Sequence, residues 1–316
     1  MKIFCAVANN NWELPNLIQP LKDMGHEIVL YDWKAKGYDQ YSESWTTKKK
    51  QMNDELLGLV KKSQKLRKFD LFFGYLSDPV IEPEYITEIS LLMPTLNFSC
   101  NDIFTFDRGH KLTSSKFDLN WTTNKAAVKN YESVGAKVFV TPHGINPKAY
   151  TLTTKTIPNK MFDVSFVGQL YGYRIQLFNH LTQLNISYAL YGRIPFQKML
   201  QTYLETKVNL NFSGAPGANF YDLKNKQLRL RDFEIPAAGG LYLTERCDFV
   251  QELYEEDEEI LFYSSPQEMV DKILFYSNDK NRIKAKMMAQ AGQRRCLSEY
   301  TSEKIFNRVF KEMGLV

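Results

Sequence analysis

The stretch Arg229-Leu230-Arg231-Asp232-Phe233-Glu234-Ile235-Pro236-Ala237-Ala238-Gly239-Gly240-Leu241-Tyr242-Leu243-Thr244-Glu245 decides how this chain is read. It has the pattern of a helix end, a Gly-Gly stop and a short apolar strand. A helix that feeds a buried strand in this way belongs to an open parallel α/β sheet. Arg229, Arg231 and Glu234 come just before the turn. Two cations and a carboxylate there suit a ligand that carries both phosphate and hydroxyl groups. Arg231 and Glu234 are three residues apart, so they can instead pair with each other on the helix surface.

Outward from this stretch, short apolar runs alternate with helical patterns. Strands are expected at 3–7, 26–31, 70–75, 95–99, 119–122 and 137–141, with helices at 14–24, 43–68, 85–92 and 125–134. Turn chemistry follows at Pro142-His143-Gly144-Ile145-Asn146-Pro147, and residues 151–160 are polar and aperiodic. The pattern then restarts, with strands at 162–167, 187–191, 208–212, 241–244 and 260–263. Helices are expected at 175–184, 196–205, 223–238, 249–253, 266–277, 281–300 and 302–311. The expectation is an α/β protein of two Rossmann-like domains, residues 1–150 and 151–316, with a cleft between them. The last helix is free to pack back on the first domain. Ligands in such sheets bind outside the carboxyl ends of the strands.

Composition narrows the function. The 316 residues are 44% hydrophobic and 24% charged, as in an ordinary globular protein. The net charge of +4 is shared evenly between the two halves, so no basic region argues for nucleic acid. Cys5, Cys100, Cys247 and Cys296 are far apart and lack metal-ligand spacing, which reads as buried reduced thiols. The start Met1-Lys2-Ile3-Phe4-Cys5 turns polar too soon for a signal peptide, and no apolar run approaches a membrane span. A cytoplasmic location is expected. The Lys-rich residues 48–68 could touch a membrane surface peripherally, although a solvated basic helix face is the plainer account.

Gly168-Gln169-Leu170-Tyr171-Gly172-Tyr173-Arg174 lies between a strand and a helix. Its glycines and the helix N-terminus suit a phosphate, with Arg174 as a clamp; the same residues also make an ordinary Gly turn. Gly192 and Arg193 follow the next strand at the same edge. Lys226, Arg229, Arg231 and Glu234 are expected on one helix. Residues 209–217 form a strand and a Gly/Pro loop that either approaches a ligand or merely connects. In the first domain, Asp78, Asp102 and His143 follow strands at the edge where a general base for a hydroxyl acceptor would sit. Each also suits a turn, a cap or a structural hydrogen bond. Asn9-Asn10-Asn11 could line the same side or simply turn the chain. The run Glu255-Glu256-Asp257-Glu258-Glu259 reads as a solvated acidic turn, not a metal cluster.

The second domain resembles the spore-maturation CgeB-like glycosyltransferases, relatives of glycosyltransferase family 4 with the two-Rossmann GT-B architecture. The resemblance runs through Val164-Ser165-Phe166-Val167-Gly168, Arg174, Val208-Asn209-Leu210-Asn211 and the stretch from Arg231 to Gly240. It continues through Leu253 and the strand at 259–263 to Ala291-Gly292. In the first domain it is looser, resting on Phe117-Asp118-Leu119, Thr122-Thr123, Tyr131, Gly135 and the turn at 142–147. The resemblance implies transfer of a sugar from a nucleotide-diphosphate donor, of UDP or GDP type, to an acceptor hydroxyl. Glu234 matches the second glutamate of the family's Glu-x7-Glu pair, which holds ribose. The position matching the first carries Lys226, so the usual hexose contact is missing. No cofactor or metal is implied. The acceptor, whether glycan, lipid-linked, protein or small molecule, is left open. Rival readings are a sugar-nucleotide epimerase or hydrolase, or a non-catalytic nucleotide-sugar-binding protein.

Overall fold

The computed structural model describes residues 1–152, 159–214, 217, 219–221 and 226–316. The chain forms two compact units. Unit 1 is Met1–Gly144 with Ser302–Val316, and unit 2 is Ile145–Thr301.

Unit 1 holds a six-stranded sheet of β1 (Lys2–Ala6), β2 (Glu27–Tyr31), β3 (Leu71–Gly74), β4 (Thr95–Ser99), β5 (Leu119–Thr122) and β6 (Val138–Val140). The order is β2-β1-β3-β4-β5-β6, and every pair is parallel. The inner strands β3, β4 and β5 are short runs buried along their whole length and β1 nearly so, as the middle of a parallel sheet requires, while the edge strands β2 and β6 are only partly buried. Unit 2 holds β7 (Phe162–Val167), β8 (Tyr188–Tyr191), β9 (Thr206–Asn211), β10 (Tyr242–Glu245) and β11 (Leu261–Tyr263). Their order is β11-β10-β9-β7-β8, again parallel throughout. The strand order reverses between β1 and β3 in unit 1 and between β7 and β9 in unit 2. A doubly wound sheet binds ligands at such a reversal, because the loops on its two sides diverge there.

The helices of unit 1 are α1 (Gln19–Asp23), α2 (Trp45–Leu66), α3 (Pro83–Ser90), α4 (Asp102–Gly109), α5 (Val128–Ser133) and α12 (Ser302–Glu312). Those of unit 2 are α6 (Tyr173–Gln183), α7 (Phe196–Glu205), α8 (Arg231–Ala238), α9 (Asp248–Gln251), α10 (Pro266–Ser277) and α11 (Arg282–Glu299). Helix α12 buries Ile305, Phe306, Val309 and Phe310. Its Phe306 ring meets Phe73 and Trp121 edge-on, at 5.7 and 5.6 Å.

Two local readings need correction. The expected helix at 223–238 is α8 alone. Residues 222–225 lie outside the described set, and Lys226 makes an antiparallel bridge with Gly214. The Gln227 amide donates to Ser213 O at 3.2 Å, so this segment runs extended beside the loop after β9. The helix starts where Asp232 Oδ2 accepts the Arg229 amide at 2.6 Å, and it ends at Gly239, whose φ of 82° lies in the left-handed region. Lys226 and Arg229 therefore do not share a helix with Arg231 and Glu234. In unit 1, Asp102 follows β4 as expected, but it opens α4, a helix that the sequence pattern did not suggest.

Candidate functional site

The strand-order reversal of unit 2 is crowded with cations. At the end of β7, Arg231 donates its Nε–H to Val167 O. Its guanidinium lies over the Phe166 ring, 5.2 Å from the centroid, and against Gly168. A Cβ at Gly168 would run into that guanidinium, so the close approach needs glycine there. At the end of β9, Arg174 donates to Gln169 O at 2.9 Å and Gly214 O at 2.8 Å. It also stacks on Tyr171, 3.9 Å from the ring centroid. Arg229 donates to the same Gly214 carbonyl at 2.8 Å and to Ser213 O at 3.2 Å. Burial, with Arg174 and Arg231 nearby, lowers the pKa of Arg229. Arg174 and Arg231 form no ion pair among the described residues.

The neighbouring carboxylates face other donors. Asp232 Oδ1 accepts from Asn211 Nδ2 at 2.9 Å and from the Tyr242 hydroxyl, and burial pushes its pKa up to about 6. Glu245, at the end of β10, accepts the Ser213 and Gly214 amides at 2.8 and 3.1 Å and the Tyr173 hydroxyl at 2.5 Å. Glu245 thus shapes the β9 loop from below, while Arg174 and Arg229 grip its carbonyls. Sequence reasoning missed Glu245 and Asp232. Their signal was two acidic residues flanking the Gly-Gly turn, one at a helix start and one at a strand end.

Glu234, one turn along α8 from Arg231, is buried and accepts from the Tyr150 hydroxyl at 3.4 Å. Burial pushes its pKa up to about 7, opposed first by Arg231 and then by Tyr150. The Tyr203 hydroxyl is also buried and has no hydrogen-bond partner among the described residues. Burial, and then the Glu234 charge, raises its pKa well above that of an ordinary tyrosine. Glu234 and Arg231 do not form a salt bridge, so the simple helix-surface pair is not what this spacing builds.

The remaining donor-side residues divide. Lys226 is buried, donates to Arg246 O at 3.2 Å and sits over the Phe220 ring. Arg174 is a loop clamp in this geometry, since its Nη atoms face backbone carbonyls. Gly192 and Arg193 are exposed at the end of β8, next to Gly168, whose amide donates to Tyr191 O at 2.8 Å.

In unit 1 the two candidate carboxylates already have hydrogen-bond donors. Asp78 accepts the Leu112 and Thr113 amides at 3.0 Å each and the Thr113 hydroxyl at 2.6 Å, so it anchors the turn after α4. Asp102 is buried, with Oδ2 accepting from Tyr131 OH at 2.9 Å and Oδ1 from Asn124 Nδ2 at 3.4 Å. His143 is buried edge-on to Trp12 and Phe98. Asn10 donates its amide and its side chain to Glu13, at 2.7 and 3.0 Å. Glu13 is buried, and desolvation raises its pKa. Glu13 and His110 went unnoticed in the sequence. Nε2 of His110 lies 3.0 Å from Ser99 Oγ, and burial lowers the His110 pKa.

Three residues of the acidic run make ion pairs, Glu256 with Arg246, Asp257 with Lys272 and Glu259 with Arg295. Among the described residues no group of His, Cys, Asp and Glu side chains could hold a metal ion. All four cysteines are buried. Among the described residues no helix is long and apolar enough to cross a membrane.

Comparison with known proteins places the fold. Residues 155–311 match the family model "Glycosyl transferase-like". No curated protein matches the chain. Among solved structures, the Anabaena protein HepE (Alr3699), determined with UDP and glucose, is 14% identical with a TM-score of 0.63; all of both chains is covered. An alpha-glucosyltransferase determined with UDP and a 13-mer DNA is 12% identical with a TM-score of 0.69 over 98% of each chain. A Listeria monocytogenes protein assigned as a UDP-N-acetylglucosamine 2-epimerase is 11% identical with a TM-score of 0.58, over 98% of this chain and 94% of that one. The fold is GT-B. These likenesses span the whole chain, whereas the family match is confined to residues 155–311.

Proposed function

We propose that the protein is a glycosyltransferase that moves a sugar from a nucleotide-diphosphate donor to an acceptor hydroxyl. The observation that carries this reading is the gathering of Arg174, Arg229 and Arg231 at the strand-order reversal of unit 2, around the backbone carbonyls of Val167 and Gly214 and against Gly168. Such a cluster favours a diphosphate, most of all as it departs with full charge. Arg231 is assigned the direct phosphate contact, and Arg174 and Arg229 position the loop that receives it. Glu234 is assigned the ribose hydroxyls. The match to a glycosyl transferase-like family model over unit 2 supports the same assignment. Structures of this fold determined with UDP make UDP-sugars the first donors to test. The ordered motif set from Val164 to Gly292 supports a place beside the CgeB-like group.

The acceptor side is assigned to unit 1. Asp78 and Asp102 both already accept hydrogen bonds within unit 1, so Asp78, Asp102 and His143 all stand as candidates for acceptor chemistry, to be separated by turnover. An epimerase or hydrolase on the same fold remains the rival, because a likeness of this kind extends to a protein assigned as a 2-epimerase. A thermal-shift panel of UDP-, GDP- and other nucleotide sugars tests the donor reading. A ligand at about 100 times its Kd adds roughly 2.7 kcal/mol of stability. Product analysis with the stabilising donor then separates a glycosylated acceptor from free sugar or an epimer.

A further inference from the structure

The strand-order reversal of unit 1, between β1 and β3, carries aromatic rings and neutral amides. Trp12 stands in the loop after β1, and Tyr75 directly follows β3. Both are half-buried. Their rings meet edge-on, with centroids 5.8 Å apart. Fully buried Phe98 backs both, 6.1 Å from Trp12 and 5.2 Å from Tyr75, and Trp121 supports Phe98 at 4.4 Å. The Trp12 carbonyl accepts from the Asn16 amide and the Asn16 side chain, at 3.1 Å each. Asn10 is held by its two hydrogen bonds to Glu13. Asn11, between them, is exposed with a φ of 120°, which residues other than glycine rarely adopt. A loop pinned in this way presents its side chains in one fixed arrangement. The Asn11 side chain and the Trp12 indole N–H have no hydrogen-bond partner among the described residues.

The charge of this edge narrows the ligand. Residues 7–16, 75–82 and 100–106 follow β1, β3 and β4 and contain no lysine or arginine. Two lysines reach them from outside. Lys34 donates to the Asn10 side chain, and Lys49 pairs with Glu82 at 2.6 Å. Glu13, Asp78 and Asp102 each accept hydrogen bonds from their own surroundings. Nucleobases also stack on such rings, but a nucleic acid brings phosphates that need surplus cations. A saccharide needs none. The C–H bonds on one face of a sugar ring meet the electron-rich face of an aromatic ring, and the hydroxyls exchange hydrogen bonds with neutral amides.

We propose that the acceptor held by unit 1 is an uncharged saccharide, stacked on Trp12 and Tyr75 and hydrogen-bonded by the Asn11 side chain and the Trp12 indole N–H. This inference rests on the sugar-transfer reading and names the class of its acceptor.

The test is a microarray of neutral and acidic glycans probed with the full chain, followed by calorimetry of the best-bound neutral oligosaccharide, with and without UDP. A neutral oligosaccharide is expected to bind. Trp12→Ala should weaken it by roughly tenfold, and Trp12→Phe by less, since a ring is kept. Asn11→Gly relieves the backbone, so it should keep the melting temperature while saccharide binding weakens. UDP affinity should be the same in all three variants. No neutral saccharide bound, binding confined to acidic glycans, displacement of the saccharide by a single-stranded DNA oligomer, or Trp12→Ala and Asn11→Gly chains that bind like the wild type would overturn the proposal. A chain that binds UDP but no saccharide sinks this inference alone. One that binds a saccharide but no nucleotide removes the donor reading, and the acceptor role with it.

Discussion

The carboxyl edges of the two sheets carry opposite kinds of polar chemistry. In unit 2, three guanidinium groups gather around Gly168 and Gly214, while Asp232 and Glu245 accept from amides, tyrosines and an asparagine. In unit 1, Asp78 and Asp102 are closed off by backbone, threonine, tyrosine and asparagine donors. An edge with a surplus of one charge is arranged to receive the other charge. An edge whose charges are already satisfied by neutral donors holds shape. On the proposed reading, phosphate goes to unit 2 and the acceptor to unit 1.

The strongest way to break this contrast is to find a base on the satisfied edge. Asp102→Asn and His143→Ala should be compared for turnover and donor affinity. A loss of about 10²–10⁴ in rate with donor binding intact would make that residue the acceptor-side base. Two near-wild-type rates would remove both from acceptor chemistry.

Asp78→Ala sharpens the contrast. Its carboxylate holds two amides and a hydroxyl, and hydrogen bonds to a charged group contribute about 1.5–3 kcal/mol each. A marked fall in chemical-denaturation stability is expected, with nucleotide affinity unchanged. A stable variant with lost turnover would return Asp78 to catalysis.

A smaller effect concerns pH. Glu234 has a folded pKa of about 7, above the ordinary 4.5, because burial disfavours its charge. The folded state therefore holds this proton more tightly than the unfolded chain. Between about pH 4.5 and 7, stability should fall as pH rises, by on the order of 3 kcal/mol in total. Nucleotide affinity should rise over the upper part of the same window, because a carboxylate accepts from ribose hydroxyls better than a carboxylic acid does. Glu234→Gln should flatten both profiles. A pH-dependent affinity that survives Glu234→Gln would detach Glu234 from the ribose.

The sheets were legible in the sequence because parallel strands buried on both faces are short apolar runs, such as Leu71–Gly74 and Leu261–Tyr263. Helix α12 was legible from Ile305, Phe306, Val309 and Phe310, an amphipathic stripe. What was lost depended on distant partners. The segment before Arg231 has helical composition, yet the backbone groups of Ser213 and Gly214 draw Gln227 and Lys226 into an extended bridge. Helix α4 is short and carries a terminal glycine, so its periodicity is weak. Arg231 and Glu234 stood out by position, but local sequence cannot show that Arg231 turns to Gly168 instead of pairing with Glu234. Nor can it show that Asp78 is met by Thr113, far along the chain.

Calorimetry of UDP binding to the wild-type chain and to Arg231→Ala tests the central claim most directly. The account predicts measurable binding by the wild type. It predicts a loss of roughly 10- to 150-fold in the variant, the equivalent of about 1.5–3 kcal/mol for one charged contact. Gly168→Ala, which crowds the same guanidinium, should follow Arg231→Ala, and the double variant should lose little more than either alone. Absence of binding by any nucleoside diphosphate at millimolar concentration, or an Arg231→Ala chain that binds as tightly as the wild type, would contradict it.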